Sequence, residues 1–287
     1  MSEAIVYLNG EFLPLSEAKV PVLDRGFIFG DGVYEVIPAY SGRLFRIDEH
    51  LQRLQNSLDA VRIRNPYSNA EWLQVLTGLL KKNPAEDSSI YLQVTRGVAK
   101  RDHAFPANVT PTVFAMANPL VTTDEKTFNQ GVAAITRDDS RWQHCNVKAI
   151  TLLANILLRQ SAIDAGAAEA ILIRNDDVTE GAASNVFIVS KGVIKTPPKS
   201  ALLLPGITRD LIVELAQSHK LPIEEVTFSK DALLAADEIW ISSSTKEIMP
   251  VVKLDGKSVG NGQPGPVARK LFGIFQDYKR ELKAIGR

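Results

Sequence analysis

Residues 33–63, VYEVIPAYSGRLFRIDEHLQRLQNSLDAVRI, contain the change of period on which the fold assignment turns. Up to Arg46 the stretch reads as two short strands bent at Ser41-Gly42, a hairpin turn. From Ile47 the apolar residues recur at Leu51, Leu54, Leu58 and Val61, the spacing of one helix face, and Asp48 is the expected N-cap. A hairpin followed directly by an amphipathic helix, without regular strand-helix alternation, predicts an α+β protein and not a doubly wound sheet.

The flanking sequence extends this reading. Upstream, AIVYLNGEFLPL places Asn9-Gly10 between apolar runs, a strong hairpin signal. Downstream, AEWLQVLTGLLKK reads as a second helix, and SIYLQVTRG and TVFAMA as strands returning beside the first hairpins. Over residues 118–130 the period disappears into Pro, Thr, Asp, Glu and Lys, so a linker is expected there. This gives a small N-terminal domain over 1–119, a linker over 120–130 and a large domain over 131–287. In the large domain GVAAITR, EAILIRNDD and ADEIWISSST read as strands, and SNVFIVSKGVIKT as a hairpin bent at Lys191-Gly192. ITLLANILLRQSAIDAGA, GITRDLIVELAQSHK and the tail from Gly265 read as helices.

Composition narrows the function. Thirty-three basic and 33 acidic residues give zero formal charge, against a nucleic-acid or membrane-surface partner. A single cysteine, Cys145, excludes an intramolecular disulfide, so a reducing, cytoplasmic setting is expected. No apolar run reaches the length of a membrane span or a signal-peptide core. The four histidines form no H-x-x-x-H pair and there is no C-x-x-C, so no metal site is expected. Neither a G-x-S-x-G elbow nor a phosphate-binding P-loop occurs, and the G-x-G of FGDGVYE lacks the third glycine of a dinucleotide fingerprint.

The informative residues are scattered: Tyr34, Arg53, Arg101, His103, Lys148, Glu180, Ile207, Thr208, Ser243 and Ser244. Each alone has an ordinary explanation as a solvated charge, a turn carboxylate or a strand end. Together with their surroundings they form an ordered set: DRGFIFGDGVYEV, the EH and RL of DEHLQRL, QVTRG followed by R-x-H, EAIL, VTEGAASNVF and GITRD. In order and spacing this set resembles the fold type IV pyridoxal-phosphate aminotransferases, in particular the branch acting on D-amino acids. The resemblance covers almost the whole chain, from about Leu8 to the closing helix.

The resemblance implies a smaller N-terminal α/β domain and a larger domain with a mixed, barrel-like sheet. It implies pyridoxal 5′-phosphate held as a Schiff base on Lys148, whose amine then carries the proton between Cα and the cofactor. Glu180 would keep the pyridine nitrogen protonated, with Gly181 letting the backbone approach the ring. Ile207 and Thr208 would open a helix toward the phosphate, joined by Arg53, Ser243 and Ser244. Tyr34, Arg101 and His103 would grip the substrate carboxylate, the Arg101 and His103 loop reaching the site of a partner subunit in a homodimer. The implied reaction converts D-alanine and 2-oxoglutarate to pyruvate and D-glutamate. A branched-chain L-amino-acid aminotransferase and an aminodeoxychorismate lyase are the alternatives. Ala182 and Ala183 depart from the D-branch, which carries serines there, and this is expected to affect cofactor affinity.

Overall fold

The computed structural model describes residues 3–284. The chain divides into two compact units, one running through Val121 with Val147–Thr151 and the residues from Leu282, the other made of Thr122–Asn146 and Leu152–Glu281.

The first unit opens with the hairpin of β1 (Ile5–Leu8) and β2 (Glu11–Pro14), followed by a short helix α1 (Arg25–Phe29). Strands β3 (Gly32–Tyr40) and β4 (Arg43–Leu44) precede helices α2 (Ile47–Ala60) and α3 (Asn69–Lys82), and β5 (Asp87–Thr95) and β6 (Thr112–Pro119) complete the unit. The six strands form an antiparallel sheet in the order β2-β1-β6-β5-β3-β4, so the later strands do return beside the hairpins. Strand period 2 puts Val33 and Ile37 of β3 and Ile90, Leu92 and Val94 of β5 in one core with Leu51, Leu54 and Leu58 of α2 and Trp72, Leu76 and Leu79 of α3.

One helix start here differs from expectation. Asp48 does not cap α2: Arg46 occupies the N-cap in a left-handed conformation, and Asp48 and Glu49 lie in the first turn, where their charge complements the helix dipole. At α3, Ser68 and Glu71 close a capping box. The aperiodic stretch after β6 also holds more structure than a linker, because Asp124 accepts from the Thr127 amide and caps α4 (Glu125–Gln130).

The second unit continues with β7 (Val132–Asp138), α5 (Leu153–Asp164), β8 (Glu169–Arg174), β9 (Asp177–Gly181), β10 (Asn185–Ser190) and β11 (Val193–Thr196). Then follow α6 (Ile207–Ser218), β12 (Ile223–Glu225), α7 (Lys230–Leu234), β13 (Glu238–Ser243), β14 (Glu247–Leu254), β15 (Lys257–Ser258) and α8 (Pro266–Ala284). Its strands form one mixed sheet in the order β12-β11-β10-β13-β14-β7-β8-β9, with β15 on β14. Strand β7 runs parallel to both β14 and β8, while β10 and β13 are antiparallel. One face of the sheet buries Ile171, Val186, Ile188, Ile239, Ile241 and Val251. No described helix is long and apolar enough to cross a membrane.

Candidate active site

Lys148 is presented by a segment that joins the start of β3. Ala149 forms a bridge with Val33, the Lys148 carbonyl accepts from the Tyr34 amide at 2.9 Å, and the Ile150 amide donates to Gly32 at 3.1 Å. These bonds explain why α5 begins at Leu153 and not at the preceding apolar residues: their backbone is already committed to β3. The Lys148 amide donates to Ser57 of α2 at 3.2 Å, and Nζ lies 4.2 Å from the Tyr34 ring centre, a cation-π distance.

Behind Tyr34, β3 breaks its own pattern. Glu35 shares the core-facing side with Val33 and Ile37 and is fully buried. Two residues from α2 compensate it: Arg53 donates through Nε and Nη2 at 2.8 and 2.7 Å, and His50 Nδ1 lies at 2.8 Å. Burial alone would raise the Glu35 carboxyl; the charge and hydrogen bonds of Arg53, with His50, overcome this and hold it at about 2. An ionised Glu35 can only accept, so His50 Nδ1 carries the proton. Burial keeps the His50 imidazole below its ordinary range against the pull of Glu35. Arg53, expected at the phosphate, thus stands in a plane fixed by Glu35. Sequence reasoning assigns no role to Glu35 or His50, although a carboxylate on the apolar face of a strand is a readable signal.

Arg101 and His103 lie exposed in the loop between β5 and β6, and both gather on Phe29: the Arg101 guanidinium is 5.4 Å from its ring centre and the imidazole 5.5 Å.

In the second unit Glu180 stands next to the end of β9 as a buried carboxylate. Oε1 accepts from Arg141 Nη1 at 2.5 Å, and Oε2 accepts from the Leu204 amide at 3.0 Å and from Asn185 Nδ2 at 3.4 Å. Arg141 is in turn gripped by buried Asp139 through Nε at 2.9 Å and Nη2 at 3.0 Å. Burial pushes the Glu180 carboxyl up to about 7, against the opposing pull of Arg141 and the Leu204 amide. Arg141 and Asp139 escape sequence reasoning because no local pattern connects them to Glu180 some way along the chain, and Asn185, although inside the VTEGAASNVF motif, carries no signal of its own.

Asn185 ties Glu180 to the start of α6. Its Nδ2 also donates to the Leu204 carbonyl at 2.9 Å, and a Cβ on Gly206 would collide with its Oδ1. Only glycine fits that position, the N-cap of α6. No side chain caps α6, although Ile207 and Thr208 in its first turn are buried. Asn185 is paired with Ser242 on β13, the residue before Ser243, whose Oγ accepts from the Lys246 amide at 3.2 Å; Ser244 follows at the strand end. Gly181 also meets a requirement inside the protein. The space a Cβ would take is filled by Ser184 Oγ and by Glu169, so glycine here admits the Ser184 to Glu169 hydrogen bond of 2.9 Å.

A buried helix start without a side-chain cap suits an anion, and a buried carboxylate beside it suits a cationic ring nitrogen. The family model for amino-transferase class IV matches residues 32–254. The chain belongs to the class IV aminotransferases. This aminotransferase is 45% identical over 272 residues to the D-alanine aminotransferase of Bacillus licheniformis, covering 95% of this chain and 96% of that one. With the D-alanine aminotransferase of Staphylococcus epidermidis the identity is 42% over 274 residues, 95% of this chain and 97% of the relative. Among solved structures, the branched-chain amino acid aminotransferase of Escherichia coli superposes with a TM-score of 0.90 at 30% identity over 96% of this chain and 94% of that one. The T.th. branched-chain amino acid aminotransferase with pyridoxamine 5′-phosphate gives 0.91 at 27% identity, over 97% and 95%. The expected α+β, fold type IV class therefore holds.

Proposed function

We propose that this aminotransferase uses pyridoxal 5′-phosphate to transfer the amino group of D-amino acids, converting D-alanine and 2-oxoglutarate to pyruvate and D-glutamate. The observation that carries the reading is the identity of 45% with a D-alanine aminotransferase across nearly the full length of both chains. The residues present suit the cofactor. The uncapped start of α6 offers backbone amides and a positive dipole end to a phosphate, with Thr208, Ser243 and Ser244 as hydroxyl donors and Arg53 as the cation.

When bound, the cofactor supplies a protonated ring that absorbs the electron pair left at Cα. Lys148 Nζ would hold the group, and as a free amine it would take up and return the Cα proton. Glu180, whose carboxyl stands near 7 without the cofactor, becomes an ionised partner for a cationic ring nitrogen, while Arg141 orients it. Tyr34, Arg101 and His103 bind the substrate carboxylate, the guanidinium offering a planar two-donor fork.

A homodimer completes this reading, with the Arg101 and His103 loop serving the partner's site. Helix α5 supports it by leaving Leu153, Ile156, Leu157 and Ile163 half or more exposed, a face that a second copy would cover. A single, buried Cys145 fits a cytoplasmic location. The likeness to solved branched-chain enzymes favours an L-specific second reading. Mixing the cofactor-loaded enzyme separately with D-alanine and L-leucine distinguishes the two: the cofactor's visible absorption is expected to fall with D-alanine, and a response to L-leucine alone would overturn the proposal.

A further inference from the structure

The loop that carries Arg101 and His103 has no regular structure, and both side chains stand in solvent, yet its backbone is tethered at several points within the first unit. The tethers start from one carboxylate. Asp31 Oδ2 accepts from Arg25 Nε at 2.7 Å and from Arg96 Nε at 2.7 Å, and Oδ1 accepts from Arg96 Nη2 at 2.9 Å. Both arginines are nearly fully buried, so two guanidinium ions share one counter-charge. Burial opposes ionisation of Asp31, but Arg96 and Arg25 keep its carboxyl below the ordinary range.

Each arginine then reaches the loop. Arg25 Nη1 donates to the carbonyl of Asp102, the residue between Arg101 and His103, at 2.6 Å, and its amide bonds the Gly97 carbonyl at 2.9 Å. The Arg96 guanidinium lies 3.7 Å from the centre of the Phe105 ring. Phe29, ending α1, receives Arg25 at 4.8 Å on the same ring that Arg101 and His103 approach.

We propose that Asp31 is a positioning residue for substrate recognition: by holding Arg25 and Arg96 it fixes the 101–105 loop, and Phe29 sets Arg101 and His103 side by side on one ring. The inference rests on the proposed role of Arg101 and His103 in gripping the carboxylate. Its physical reason is that two ligands on a free loop must be ordered at every binding event, and a loop ordered beforehand avoids that cost. The clamp touches neither the amine that holds the cofactor nor the reacting carbon, so its loss falls on substrate binding.

The test uses the cofactor-loaded enzyme with Asp31→Asn, Phe29→Leu and Arg101→Ala, followed by steady-state kinetics with D-alanine and by hydrogen exchange of the loop amides. Asp31→Asn is expected to raise KM by about tenfold, the scale of one charge-assisted hydrogen bond, with a much smaller change in kcat and an unchanged cofactor spectrum. Amides of residues 101–105 should exchange faster in the same protein. Phe29→Leu, which leaves the ion pairs of Asp31 in place, should raise KM in the same direction and serves if Asp31→Asn does not fold. A raised KM for Arg101→Ala with unchanged KM in both other variants would overturn the inference while leaving the role of Arg101 standing. An unchanged KM for Arg101→Ala would overturn that role and the inference with it.

Discussion

Arg141 Nη1 lies 2.5 Å from Glu180 Oε1, with both side chains buried and with Asp139 holding the far side of the guanidinium. The arrangement fixes a carboxylate that burial would otherwise neutralise. The Glu180 carboxyl is raised from 4.5 to about 7, so the folded protein holds this proton more tightly than the unfolded chain does. A raised carboxyl contributes stability that is complete below about 4.5 and is lost as pH rises through about 7.

The cofactor-free protein is therefore expected to lose about 3 kcal/mol of stability from this group between those two pH values. Glu180→Gln should flatten that part of the stability profile measured by urea unfolding. A slope equal to that of the parent protein would show that Glu180 does not titrate there.

Arg141→Met leaves Glu180 buried without its cation. Removing one partner of a buried ion pair costs about 3–5 kcal/mol, most of it where the remaining charge is ionised. The variant should lose more stability at pH 8 than at pH 6, and calorimetry at the two values gives the comparison. An equal loss at both would mean that Arg141 acts through Asp139 or through packing and not through Glu180.

Glu35 has the opposite sign. Its carboxyl is lowered from 4.5 to about 2, so its stabilisation is present above 4.5 and is lost as pH falls through about 2. Glu35→Gln is expected to destabilise the protein by about 3 kcal/mol at neutral pH and to make the acid limb shallower. An acid limb as steep as the parent's would point to other carboxylates.

Most of the fold is legible in the sequence because the hairpins and helices satisfy their own periodicities, as at Asn9-Gly10 and along Leu51, Leu54 and Leu58. The helix starts are less so: Asp48 has the chemistry of a cap but sits too late in the chain, and Arg46 takes the left-handed conformation in its place. At the candidate site, residues in distinctive motifs stand out, whereas their supports do not. Glu35 stands out as a carboxylate between Val33 and Ile37 on the apolar face of its strand, but its partners Arg53 and His50 are set only when α2 packs over it. Arg141 gains meaning only when the chain returns with Glu180. Gly181 reads as a close approach to a ring, and the structure adds a second requirement, the packing of Ser184, three residues on.

Gly206→Ala is expected to disturb cofactor binding without a backbone penalty, since Gly206 has an ordinary φ of −70°. The added Cβ meets Asn185 Oδ1, whose amide is held in place because its Nδ2 donates to the Leu204 carbonyl and to Glu180. Overpacking of this kind costs about 1–3 kcal/mol, and displacement of the α6 start should weaken pyridoxal 5′-phosphate binding by about tenfold or more in an absorbance titration. Unchanged affinity would remove the α6 terminus from the phosphate site.

Anchoring of the cofactor on Lys148 is tested most directly by borohydride reduction of the loaded enzyme followed by peptide mass spectrometry. One modified residue, Lys148, is expected, together with a colourless Lys148→Ala protein. A phosphopyridoxyl group on another lysine, or a coloured, active Lys148→Ala protein, would contradict the assignment.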